Sequence, residues 1–297
     1  MIVLPQLFML FFIAAVGALL RKRQVLTDPV VKGISDIVTL ATNPALLIAV
    51  TQHEYTQETL TGFLHVLWMA TVTMAVMLVV VYALCRGQSE KVRPILSLVA
   101  VMPNAGFMGL PIIQALYGDL GALYLAAVLV AFNLVFWTVG IALIDRNGFS
   151  LKGMFNPGFI AALVGTAFFL MRVKLPTFLY TPVNTLGTLN TPLAMLILGA
   201  RMTNFSPKGL IDWRNALVSA VKLFGMPLIA LVLARLFSLG GAAAGALVVS
   251  SAMPSGILTQ MIAEQYERDA LFAAQEISFT SLLCMLTIPL IVTMLGA

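Results

Sequence analysis

Val99-Ala100-Val101-Met102-Pro103-Asn104-Ala105-Gly106 and Ser250-Ser251-Ala252-Met253-Pro254-Ser255-Gly256 are two stretches of one chain built on one plan. Each sets Met-Pro, a small polar residue and a nearby glycine in the middle of an apolar run. Proline inside a helix removes one backbone hydrogen bond and clashes with the carbonyl four residues back. Glycine beside it eases the break and lets another segment come close. In hydrocarbon, the freed backbone groups persist only where protein or a water-filled cavity satisfies them. Two breaks at matching places therefore predict a central site. Pro103 and Pro254 lie 151 residues apart, and Asn43-Pro44 is echoed by Asn190-Thr191-Pro192 at a spacing of 148 between the prolines. Pro111 is a further break candidate in the first run.

The rest of the chain agrees with a membrane setting. Of 297 residues, 60% are hydrophobic and 10% charged, with a mean hydropathy of +1.00. Soluble domains carry about 25% charged residues, so this composition leaves too little charge to cover a water-soluble core. It excludes a soluble enzyme, a disordered chain and a nucleic-acid module, despite the net charge of +5. The apolar runs do not alternate with period two, which excludes a β-barrel.

A helix needs about 20 apolar residues to cross the hydrocarbon core. The predicted spans are 2–20, 32–51, 61–84, 95–117, 120–144, 158–173, 182–202, 213–237, 242–263 and 271–295. The first is read as a retained span and not a signal peptide, because Arg21-Lys22-Arg23 follows its apolar run instead of preceding it. Cys85 and Cys284 form no disulfide or metal pattern, and Cys284 reads as a small core residue.

Lysines and arginines set the orientation. Thirteen of the 17 fall after odd-numbered spans, among them Arg21, Lys22, Arg23, Arg86, Lys91, Arg93, Arg146, Lys152, Arg201 and Lys208. The opposite side holds Arg172, Lys174 and Arg235. This places the odd-numbered loops in the cytoplasm and both termini outside the cytoplasmic membrane. The chain then divides into 1–150 and 151–297, each with five spans. An odd number makes the second half enter from the opposite side, the inverted-repeat plan of many secondary transporters.

Taken together, several stretches resemble the auxin efflux carrier family of membrane transporters, which includes bacterial malate or malonate permeases. They are Asn43-Pro44-Ala45-Leu46-Leu47, the run from Pro103 to Pro111, Phe132-Asn133-Leu134-Val135-Phe136-Trp137-Thr138-Val139-Gly140, the region of Pro254, and Thr280-Ser281-Leu282-Leu283 through Thr287-Ile288-Pro289-Leu290. The resemblance covers essentially the whole chain, without the long cytoplasmic loop of many plant members. It implies a ten-helix all-α fold of the sodium/bile-acid-symporter and sodium/proton-antiporter type. Spans 1, 2, 6 and 7 would form a scaffold, often dimerising, and spans 3–5 and 8–10 a transport unit in which broken spans 4 and 9 cross. It also implies a small organic carboxylate as substrate; the residues alone give only the paired breaks.

Individual residues follow from this frame. Asn104 and Ser255 stand where each second half-helix begins, and exposed amides at such an N-terminus favour an anion. Ala105, Gly106 and Gly256 belong to the same substrate-binding set, with Asn133 from span 5 and Gln260 beyond the second break; Thr259 is weaker. Pro103, Pro111 and Pro254 are the helix-break residues. Glu276 lies inside span 10 and is a candidate proton-coupling group, the alternative being an interfacial position. Lys222 in span 8 is expected to snorkel to the interface or to pair with an acid. Arg201 is read as a topology charge, and His53 and His65 as surface residues. Asp28-Pro29 reads as an N-cap followed by a first-turn proline.

No catalytic motif, metal-binding pattern or cofactor loop is present, so neither a metal nor a cofactor is expected. The expected partners are a small anionic organic substrate, the lipid bilayer and a second copy in a homodimer, with no nucleic acid. The first reading is a secondary transporter working by alternating access. A channel-like pore for small solutes is the alternative, and an intramembrane enzyme a third.

Overall fold

The computed structural model describes residues 3–145, 157–203 and 213–295. Arg146, Lys152 and Lys208, and the boundary between the predicted halves at 150/151, lie outside the described residues. Helices account for nearly all of the rest. In chain order they are α1 (Val3–Lys22), α2 (Asp28–Ile37), α3 (Asn43–Val50), α4 (Gln57–Leu84), α5 (Arg93–Val101), α6 (Leu110–Val135) and α7 (Ile141–Ile144). The second part contributes α8 (Pro157–Leu170), α9 (Thr177–Thr188), α10 (Asn190–Met202), α11 (Trp213–Ala220), α12 (Met226–Leu236), α13 (Gly241–Ser251), α14 (Ile257–Gln265) and α15 (Ala270–Met294).

Among the described residues, six runs are long and apolar enough to cross a membrane: Asp28–Val50, Gln57–Leu84, Ala105–Ile144, Thr177–Met202, Trp213–Leu236 and Ala270–Met294. Pro157–Leu170 and Gly241–Ser251 are shorter apolar helices. Large apolar side chains such as Phe8, Phe12, Leu40, Val76, Val232, Leu286 and Leu290 are exposed on the outside. In water that belt would drive aggregation; against lipid tails it is matched. The molecule is an all-helical, multi-pass membrane protein.

Local chemistry sets the helix ends. Thr56 and Thr59 form a reciprocal cap on α4, each hydroxyl accepting from the other's backbone N–H at 3.0 and 2.8 Å. Asp269 caps α15 by accepting from Phe272 N at 3.0 Å. At α2 the cap position is Thr27, one residue earlier than the sequence suggests, and Asp28-Pro29 open the helix. Asp28 is there a partner for Arg21 at 2.6 Å. Gly118, with φ of 61°, makes the reversal inside the run assigned to α6, a conformation costly for any side chain with a Cβ.

The most extensive packing falls into two groups, α1 with α10 and α3 with α8 and α9 on one side, and α4, α6, α12 and α13 on the other. Within the first group, a Cβ on Gly17 would meet Leu196 O at 2.2 Å, and one on Gly165 would meet Leu47 O at 3.0 Å. The glycines lie 148 residues apart and the leucines 149. The same close contact is thus made twice, α1 against α10 and α8 against α3. Thr42 and Asn190, also 148 apart, join by a hydrogen bond of 3.1 Å from Thr42 Oγ1 to Asn190 Oδ1. The internal repeat that the sequence shows in its prolines is therefore also written in the packing.

Among the described residues, four helical runs widen into π-type turns, at Val38–Thr42, Ala105–Gly109, Phe136–Gly140 and Val221–Gly225. Such turns concentrate at functional sites. The first three contribute residues to one cavity, and the fourth carries Lys222 against the ends of α5 and α13.

Candidate binding site at the crossing of two broken helices

The site begins with the hydrogen bonds that proline cannot make. α5 stops at Val101 and α13 at Ser251, and the backbone then runs extended through Met102 (φ −74°, ψ 116°) and, on the other chain segment, through Gly256 (φ −75°, ψ 136°). The two extended pieces pair antiparallel at Pro103 and Ser255. Asn104 N donates to Pro254 O at 2.7 Å and Gly256 N to Met102 O at 3.0 Å. Val99 O would normally accept from the amide four residues on, which is Pro103 and has none. Ser255 Oγ donates to it instead at 2.6 Å. Ser255 N donates to Thr280 Oγ1 at 3.1 Å, and that hydroxyl donates onward to Glu276 O at 2.7 Å. Each break thus supplies the other with the partners that a dry interior demands.

Beyond the crossing, the wide turn Ala105–Gly109 leads one second half-helix and α14 is the other. A cavity of about 280 Å³ lies against both starts. Pro103, Asn104, Gly106, Phe107, Gly256 and Ile257 form this wall, and Asn133 and Trp137 flank it. Ser35, Thr39 and Asn43 line the facing side, from the α2–α3 run. The two positive helix ends are therefore presented to one cavity. Among its lining residues there is no lysine or arginine.

Two of the side-chain N–H donors in this lining stand apart. Asn104 Nδ2 and Trp137 Nε1 are buried and have no protein partner among the described residues. Asn133 Nδ2 donates to Leu129 O at 2.8 Å, leaving its carbonyl oxygen free of that bond. The hydroxyls of Ser35 and Thr39 donate within their own helix, to Val31 O and Ser35 O at 2.8 and 2.9 Å. Apolar side chains, Leu129, Phe107, Phe132 and Ile257, make up much of the remaining wall. The arrangement is suited to a ligand with an acceptor-rich head and an apolar body.

Not every residue singled out in the sequence meets here. Pro103, Asn104, Gly106, Asn133 and Gly256 line the cavity. Ala105 is buried beside them, and the Ser255 side chain is held at Val99 O. Pro254 serves through its carbonyl, and Pro111 stands in the first turn of α6 instead of at the break. Gln260 accepts from Arg201 Nη1 at 3.2 Å and donates to Glu264 Oε1 at 2.8 Å, beside a separate cavity of about 240 Å³ that also contains Gln275 and Ser278. Thr259 Oγ1 donates to Gly256 O at 2.6 Å.

One expectation about charge, that for Lys222, is corrected. Glu276 is fully buried. Lys222 does not snorkel: it too is fully buried, and its Nζ donates to Val101 O at 3.0 Å and Ser251 O at 3.3 Å. His53 is half-buried beside a cavity of about 290 Å³ at the other end, where Lys174 Nζ donates to Gln52 O at 2.6 Å and to His53 O. Burial draws the Lys174 ammonium below the usual lysine pKa, with Glu54 opposing. Sequence reasoning passed over Ser35, Thr39, Trp137 and the true partners of Lys222. The available signals were the lone lysine in an apolar run and the position of Trp137 one helical turn beyond Asn133.

A family model described as "Membrane transport protein" matches residues 2–152 and again residues 147–292. The chain is 27% identical over 212 residues to an uncharacterized transporter of Methanocaldococcus jannaschii, an overlap that spans 66% of each chain. It is 26% identical over 232 residues to an uncharacterized transporter of Methanothermobacter thermautotrophicus, covering 76% of each.

Proposed function

We propose a substrate class and a transport cycle for this chain, which belongs to the membrane transport protein family, the auxin efflux carriers, and is a membrane transporter and not an enzyme. The reading is a secondary transporter that moves a small organic carboxylate anion across the cytoplasmic membrane by alternating access. The observation that carries it is the cavity at the crossing, walled by the starts of both second half-helices and by Asn104 and Trp137. Each helix end contributes about half a positive charge, so the pair balances roughly one carboxylate. With no lysine or arginine in the lining, a second carboxylate has no counter-charge. This favours an auxin-like acid with one carboxylate and an apolar body over malate- or malonate-like dicarboxylates.

The architecture in this reading is ten membrane-crossing helical runs in two inverted halves, 1–150 and 151–297. The doubled match of the family model and the doubled glycine contacts support it. The group around α1, α3, α8, α9 and α10 is the scaffold, and a homodimer would form through it. The group around the crossing is the transport unit. The cavity lies between them, where relative movement changes its exposure.

Uptake of labelled indole-3-acetate, malate and malonate into proteoliposomes, with and without a pH gradient, tests the substrate class. Saturable uptake of the monocarboxylate above the dicarboxylates is expected. Uptake of dicarboxylates alone contradicts the one-carboxylate reading, and uptake of none contradicts the carboxylate class.

The orientation has both termini outside, following the distribution of lysine and arginine. Thr56 caps the start of α4, and Ser89 lies in the segment that follows its end. In a cysteine-free background, Ser89→Cys is expected to react with a membrane-impermeant thiol reagent only from the cytoplasmic side, and Thr56→Cys only from outside. The reverse pattern at both sites overturns the orientation.

Glu276 is the coupling candidate, being a fully buried carboxyl whose backbone carbonyl is linked through Thr280 to the crossing. Glu276→Gln keeps the shape and removes the titration. It is expected to flatten the pH dependence of transport while leaving exchange at fixed pH largely intact. An unchanged pH profile would assign the coupling group elsewhere.

A further inference from the structure

Lys222 stands alone in the apolar run from Leu217 to Pro227, and no part of it reaches the surface. It is carried by the wide turn Val221–Gly225, between α11 and α12, outside both broken runs. Its two acceptors stand at matching helix ends, one residue out of the 151-residue register of the two prolines. Val101 and Ser251 are the last residues of α5 and α13, 150 residues apart. The amide four residues beyond Ser251 is Ser255 N, which is committed to Thr280. The amide four beyond Val101 belongs to Ala105, in the next half-helix.

The charges match as well as the geometry. A helix C-terminus carries about half a negative charge, so two of them together oppose about one ammonium. An unpaired buried ammonium costs several kcal/mol, so a lysine serving only as packing would be a poor choice beside leucine or methionine. The crossing is therefore polarised. Its two negative ends meet at Lys222, and its two positive ends face the cavity.

We propose that Lys222 is a positioning residue whose ammonium is a tethered counter-cation, holding the two half-helix C-termini together so that both N-termini are presented to the cavity. It is not among the residues that line the cavity and acts through the backbone of the crossing. The inference stands on the crossing alone and holds whichever anion is carried.

The test is charge rescue in the full chain, reconstituted in nanodiscs. Lys222→Ala is expected to speed hydrogen exchange of the Asn104 and Gly256 amides by about tenfold or more, with α1 and α10 unchanged. Propylammonium, which refills the vacated space with a cation, is expected to restore slow exchange. Propanol, of similar size and neutral, is not. Lys222→Met is expected to be as defective as Lys222→Ala, because it fills space without charge.

Wild-type exchange in Lys222→Met, or equal rescue by propanol, overturns the proposal. So does normal exchange in the Lys222→Met, Glu276→Gln double variant, which would make Lys222 a partner of Glu276 and not of the helix ends. Should neither neutral variant fold, the wild-type protein carries the test through the side-chain ¹⁵N signal of Lys222. A solvent-protected ammonium at about pH 6 is expected, and a neutral amine overturns the proposal.

Discussion

Replacing Asn104 by alanine, or Trp137 by phenylalanine, is expected to weaken carboxylate binding by roughly 10- to 150-fold each. Each change removes one N–H donor that has no protein partner among the described residues and belongs to the cavity lining. A hydrogen bond to a charged acceptor contributes about 1.5–3 kcal/mol, which is that fold-change in affinity. Trp137→Phe is the cleaner probe, because it keeps an aromatic ring and removes Nε1. Equilibrium binding of labelled indole-3-acetate to the purified variants measures the effect. Ser255→Ala serves as the contrast. It leaves Val99 O without its 2.6 Å donor, so it is expected to lower stability by about 1–3 kcal/mol, a larger effect than its effect on affinity. Wild-type affinity in both Asn104→Ala and Trp137→Phe would remove these side chains from the site.

The second large effect is on movement. Arg201 on α10 and Gln260 on α14 face each other at 3.2 Å across the boundary between the two packing groups. If the groups move relative to each other during transport, a tether there arrests the cycle. Cysteines at both positions, bridged by a short bifunctional thiol reagent, are expected to reduce exchange to below about a tenth, with recovery on reduction. Single-cysteine variants treated alike are expected to stay active. Full activity in the bridged protein would mean that α10 and α14 travel together, and that the boundary of the moving unit lies elsewhere.

How far the sequence foretells this arrangement depends on the kind of signal each residue leaves. Pro103 and Pro254 are legible because a missing amide in an apolar run has one consequence, and their spacing repeats. The helical runs are legible for the same reason that lipid exposure is: long apolar segments separated by charges. Asn104 and Gly256 follow directly from the breaks. Ser255 follows only in part, because a hydroxyl beside a break serves a ligand or an orphaned carbonyl equally well. The choice depends on where Val99 O lies in three dimensions. Ser35 and Thr39 leave no local mark at all, and Trp137 only its position one helical turn beyond Asn133. Thr39 and Trp137 lie in the wide turns Val38–Thr42 and Phe136–Gly140, and a wide turn has no composition of its own. Lys222 is visible as an oddity, but its role needs both broken helices assembled around it.

Counterflow in proteoliposomes tests the central claim most directly, that the cavity at the crossing is the carboxylate site of a carrier. Vesicles are loaded with excess unlabelled indole-3-acetate, diluted, and offered the labelled acid at low concentration. Transient accumulation of label above its equilibrium level is predicted, saturable in the external acid and abolished by Asn104→Ala combined with Trp137→Phe. Flux that rises linearly with concentration, shows no accumulation and ignores the internal acid would contradict it.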